Sequence, residues 1–175
     1  MSPSFADFFP KILRPLLGED RLPDLGPGSP NLAVEPLLRS LTIEQIFPKI
    51  VDVSMAQCCL SGLWLLHDFL DESHTLSQEI HTSSGSYWHA IMHRREPDPG
   101  NSKYWWRLVG SHPVLEQLKS QAPKEGYTFT NPEDFVDFCE RVRGQGGEDE
   151  QLAKRMQWLE WLRLFDWCFT KALSE

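Results

Sequence analysis

Five of the six histidines in the chain fall between His67 and His93. The densest group is His89-x-x-x-His93-x-x-Glu96. On a helix these three side chains lie within roughly 60° of one another. Two imidazoles four residues apart are spaced to share one ion, so His89 and His93 are candidate ligands for a divalent metal such as zinc. Glu96 is placed to be a third ligand, a base, or the acceptor for an imidazole N–H. The inner glutamate of H-E-x-x-H is absent, which excludes the zinc-protease motif. His67 would add a third nitrogen if its helix met this one. It shares an apolar stripe with Leu60, Leu63 and Trp64, and Asp71 one turn later could fix its tautomer. The plainer reading is a satisfied core histidine. His67 is expected to be mostly buried and hydrogen-bonded, pointing towards the helix that carries His89.

Charge continues past His93. Arg94, Arg95, Glu96, Asp98, Lys103, Tyr104 and Arg107 crowd around Trp88, Trp105 and Trp106. Paired arginines suit a carboxylate or phosphate, so the second candidate ligand is a small anion held in an aromatic-walled cleft. The two arginines also argue against a neighbouring cation unless they face away. The competing reading has the same groups pairing with one another to hold two helices in register. Ser83-Ser84-Gly85-Ser86 is not the G-x-S-x-G elbow, and Ser84 or Ser86 reads as a helix cap. Cys58, Cys59, Cys139 and Cys168 form no C-x-x-C pair and read as reduced core thiols of a cytosolic protein.

The stretch YWHAIMHRREPDPGNSKYWWRLVGSHP resembles a group of bacterial and fungal proteins without an assigned activity. They share a His-His-Arg run, an acidic turn, an Asn-x-x-Tyr-Trp helix and a Gly-x-His-Pro end. The group often has Gly-Asp where this chain has Pro97-Asp98. Looser similarity runs from about Leu16 to Leu118. The resemblance implies where the site lies and says nothing of its chemistry.

These residues need helices to position them. Thr42-x-x-Gln45 and Ser54-x-x-Gln57 are capping boxes, and the helix from Ser54 is expected to run on to about Glu72-Ser73. A helix from about Ser86 to Arg95 carries the histidine pair. Asp98-Pro99-Gly100 is a turn, with Asn101 capping the helix over Lys103–Val109. Asn131-Pro132-Glu133-Asp134 starts another helix, which Gly144 stops. Glu148-Asp149-Glu150 opens the last helix, whose stripe is Trp158, Trp161, Leu162, Phe165, Phe169 and Leu173. No strand pattern is convincing. The expected fold is all-α: a single-domain helical bundle over 33–175, with an irregular Pro/Gly-rich arm, 1–32, packed on it.

A chain of 175 residues with 41% hydrophobic and 24% charged content can bury a real core. A net charge of −8 argues against nucleic acid and anionic membranes as partners. No apolar run reaches the roughly 20 residues of a membrane span, and MSPSFADFFP lacks the basic start of a secretory signal. The reading reached is a small cytosolic ligand-binding protein or enzyme. Its His/Arg/carboxylate site would serve a small anionic molecule or a metal. The alternative is a non-catalytic helical interaction protein in which the same cluster is structural.

Overall fold

The computed structural model describes residues 5–17 and 22–174. Two short 3-10 turns, Phe5–Phe8 and Lys11–Leu13, lead into α1 (Arg14–Leu17). Beyond residues 22–34 come α2 (Glu35–Ser40), α3 (Ile43–Ile46), α4 (Val53–Leu66), α5 (Leu70–Ser77) and α6 (Ser83–Arg95). They are followed by α7 (Pro99–Val109), α8 (Pro113–Gln121), α9 (Pro132–Val142) and α10 (Glu148–Leu173). Among the described residues there is no strand, so the domain is all-α.

Several helix ends follow the sequence signals. Thr42 and Gln45 form the reciprocal capping box of α3. Asn131 accepts from the Asp134 N–H at 2.8 Å, with Pro132 at the first helical position. Other starts lie earlier than expected. Asp52, not Ser54, caps α4; Thr82, not Ser84 or Ser86, caps α6; Asp98, not Asn101, caps α7. In each case an oxygen two to four residues upstream reaches the orphan N–H first.

The core is organised around α10, whose Trp161, Leu164, Phe165 and Cys168 are buried. It packs on α4, α8 and α9, while α6 packs on α7, α5 and α4. At Gly62, α4 meets side chains from both α6 and α10. A Cβ there would lie 2.7 Å from the Trp88 ring, and the Gly62 carbonyl accepts from Trp161 Nε1 at 2.9 Å. The arm shares this core through Phe9, Leu13, Leu16 and Leu25. Burying each such side chain contributes about 1.5–3 kcal/mol. Polar bonds fix the arm further. Gln157 Nε2 donates to the carbonyls of Pro23 and Asp24 at 3.2 and 3.1 Å, and Lys154 pairs with Asp24 at 2.7 Å. Among the described residues no helix is long and apolar enough to cross a membrane.

One departure from expectation shapes the site. The helix containing His67 stops there instead of running on to Glu72-Ser73. Asp68 has a φ of 64°, a left-handed conformation that aspartate tolerates better than most residues. Arg95 holds the bend. Its guanidinium bonds to the Asp68 carboxylate, and Nη1 donates to the Leu65 carbonyl at 2.6 Å. The chain therefore starts a new helix, α5, which packs against both α4 and α6.

Candidate metal centre

The α4–α5 contact is lined by small hydroxyl side chains. Ser61 and Ser73 are fully buried, with their Oγ atoms 3.0 Å apart. One turn further along α5, Ser77 reaches α6, and its Oγ lies 2.8 Å from His89 Nδ1. The same hydroxyl donates to the Ser73 carbonyl at 2.8 Å. A hydroxyl has one proton. With that proton on Ser73, the bond to His89 is made by His89 Nδ1–H donating to Ser77. His89 Nε2 is then a bare lone pair.

His93 is fixed in the same tautomer by a different partner. Its Nδ1 lies 3.0 Å from Glu96 Oε2, and an ionised carboxylate only accepts. His93 Nδ1 therefore carries the proton, and its Nε2 is also a lone pair. The two Nε2 atoms face each other at 3.1 Å. Two lone pairs at that distance repel unless a cation lies between them. Burial pushes His89 down to about 3, with the His93 and His74 imidazoles adding to the effect. Burial also lowers His93, against the opposing pull of Glu96. A proton is thus a poor bridging cation here. Two nitrogens bound to one tetrahedral ion at about 2.0–2.1 Å stand about 3.3–3.4 Å apart, close to the spacing found.

A third imidazole completes the group. His74 of α5 has its ring 4.7 Å from that of His89 and 5.4 Å from that of His93. One nitrogen from each of His74, His89 and His93 falls within 4.8 Å of the others. His89 and His93 are buried and His74 is half-buried. The Trp105 ring lies against His89 with centroids 4.0 Å apart, holding the imidazole from the side of α7. Sequence reasoning missed His74 because it ended the preceding helix in the wrong place. The available signal was the Ser73/Ser77 pair at four-residue spacing, which marks a face of close helix approach beside His74.

The remaining candidates are engaged elsewhere. His67 is buried as expected, but it is turned towards the arm, not towards the helix carrying His89. Its Nε2 bonds to the Leu16 carbonyl at 3.0 Å, and its Nδ1 lies 3.3 Å from Asn31 Nδ2. Arg94 is fully buried, 2.6 Å from Glu160 of α10, with its guanidinium 4.7 Å from the Phe135 ring centre. Arg95 binds Asp68 and also donates from Nε to the Asp24 carbonyl at 3.0 Å. Asp98 accepts from the Asn101 N–H and side-chain amide at 3.0 and 2.7 Å, which lowers its carboxyl below the ordinary range. Lys103 pairs with Asp137 at 2.6 Å. Tyr104 is exposed, with the Arg107 guanidinium 6.0 Å from its ring centre.

A cavity of about 300 Å³ elsewhere in the domain is lined by Asp52, Ser84, His112, Trp167 and Lys171. Ser84 Oγ lies 3.0 Å from His112 Nε2 there, the spacing of a nucleophile and its base. The tautomer is wrong for that role. His112 Nδ1 accepts from the Val114 N–H at 3.2 Å, so the proton of a neutral imidazole sits on Nε2 and points at the serine. The pair is a latch between α6 and α8, not a catalytic dyad.

Comparison with family models, with curated proteins and with solved structures finds no match to this chain.

Proposed function

We propose that this protein binds one divalent transition-metal ion of the zinc class between α5 and α6, through His74, His89 and His93. The observation that carries the reading is the pair of Nε2 atoms 3.1 Å apart, each ring having a hydrogen-bond partner on its opposite nitrogen. Metal-binding histidines ordinarily donate their other N–H to a carboxylate, carbonyl or hydroxyl, which fixes the ring and raises its basicity. Glu96 and Ser77 supply that support. Three imidazole nitrogens suit zinc, copper or nickel better than magnesium or calcium, which prefer oxygen.

An anion held directly by Arg94 and Arg95 is the weaker reading, because both guanidinium groups already have buried carboxylate partners. Bracing of the fold, the alternative role for the polar cluster, is favoured for these two arginines.

The test is metal content after loading with Zn²⁺ and exhaustive dialysis. One equivalent is expected in the wild type and none in the His74→Ala/His93→Gln variant. Those substitutions spare the most buried imidazole, so the variant should keep its circular dichroism spectrum. Ser77→Ala should weaken Zn²⁺ binding by about 10–100-fold. Equal metal content in wild type and variant would overturn the reading.

A further inference from the structure

Resting on the metal reading above, we infer that the bound ion keeps its fourth position for a small exogenous ligand, water or a monodentate anion, instead of being closed by a fourth protein group. Among the described residues, the ligating atoms gathered here come from His74, His89 and His93 alone. Among the described residues, no acid joins the three imidazoles in this group. Glu96 bonds to His93 Nδ1, on the far side of the ring from the Nε2 that would bind the ion. Asp98 caps α7. Glu72 pairs with Arg39 at 3.0 Å, and Asp71 lines a groove with Trp64, Thr75 and Leu76.

The cysteines are no substitute. Cys58 and Cys59 interact with Cys168 in the core, and Cys139 lies near Arg94. Structural zinc sites take four protein ligands, whereas a site with three keeps one position for water or a reactant.

Charge favours an anion in that position. Three neutral imidazoles leave the ion's two positive charges uncompensated by its direct ligands. The usual competitors for an anion, Arg94 and Arg95, are neutralised by Glu160 and Asp68. The centre is also within reach of solvent. His74 and Trp105 are half-buried, and the Glu96 side chain is 49% exposed. A small anionic ligand is thus expected at this protein, bound through the ion and not through the arginines.

The experiment loads metal-free protein with Co²⁺ and follows the visible absorption while azide is added. One equivalent of Co²⁺ should give a d–d band, and azide should shift that band saturably with a single isosbestic set. A cobalt band that azide leaves unchanged would overturn the open position while leaving the metal reading intact. If Glu96→Gln then gained an azide response absent from the wild type, Glu96 would be the fourth ligand. Failure of the wild type to bind Co²⁺ or Zn²⁺ would overturn the metal reading and the open position with it. His74→Ala should lose the cobalt band with the fold retained; a band unchanged in this variant would remove His74 from the ion and overturn the three-histidine assignment.

Discussion

Replacing Glu160 by Gln isolates what the Arg94 ion pair contributes. The two side chains are 0% and 1% exposed, and the charged atoms are 2.6 Å apart. Tyr87 also donates to the Glu160 carboxylate, at 3.3 Å. Glutamine keeps the shape and one accepting oxygen, so the change is chiefly the loss of one negative charge. Arg94 would then be a buried cation facing Gln157 Oε1 at 3.4 Å and the Phe135 ring, with Nε and Nη1 already lacking partners. Removing one member of a buried pair costs about 3–5 kcal/mol, because the remaining charge has no compensation. In a chain of this size each kcal/mol moves the midpoint by about 2–4 °C, so Tm should fall by roughly 6–20 °C. Urea unfolding should show a lower midpoint with an unchanged m value. The double variant Arg94→Met/Glu160→Leu removes both charges and should recover most of the loss, since an apolar replacement of a buried pair is often neutral or stabilising. A cost below about 1 kcal/mol for Glu160→Gln, the level of a surface pair, would refute the reasoning.

Two other regions give independent checks. Burial lowers His112 from 6.5 to about 4, so its neutral form stabilises the fold fully above pH 6.5 and loses that contribution as pH falls towards 4. The shift corresponds to about 3 kcal/mol, and the loss of stability between pH 7.5 and 4.5 should be about 2–3 kcal/mol smaller in His112→Asn than in the wild type. Equal losses would exclude His112 as the source. Gly28 has a φ of +70°, and a Cβ there would lie 2.6 Å from the Asp68 carboxyl carbon. Gly28→Ala should cost more than about 1–2 kcal/mol, the left-handed penalty alone, and should speed proteolysis of the arm. An unaltered digestion rate would mean that the arm is held independently of this contact.

The helices were legible because their signals are local. Asn131-Pro132-Glu133-Asp134 and the stripe of α10 need nothing outside their own segments. The same holds for His89, His93 and Glu96, whose shared face follows from helical periodicity. His74 was not legible, because its place depends on where α4 ends. That end is set by Arg95, 27 residues away from Asp68 in sequence. The roles of Arg94 and His67 are equally non-local, with partners 66 and 51 residues distant. A cluster of charged and imidazole side chains reads from sequence as one site, because composition cannot say which way each residue faces. Consecutive helical positions are about 100° apart, which is enough for His93, Arg94 and Arg95 to serve three different neighbours.

That divergence also answers the electrostatic objection to a cation beside two arginines. A bare guanidinium pair next to His93 would oppose a second positive charge. Here Arg94 is neutralised by Glu160, and Arg95 is neutralised by Asp68 while its remaining donors are absorbed by backbone carbonyls. The carboxylate bonded to the histidine pair is that of Glu96, on His93. The arginines also tie α6 to α10 through Glu160, and to the α4–α5 bend and the arm through Asp68, Leu65 and Asp24. Two of the three imidazoles therefore sit on a helix whose position is over-determined before any ion arrives. The third sits on an eight-residue helix held by Ser61, Ser73 and Ser77. On the proposed metal reading, side chains fixed in this way would lose little freedom on binding, which favours affinity. On that same reading, the buried ion pairs hold rigid the helix that carries two of the three ligands, His89 and His93.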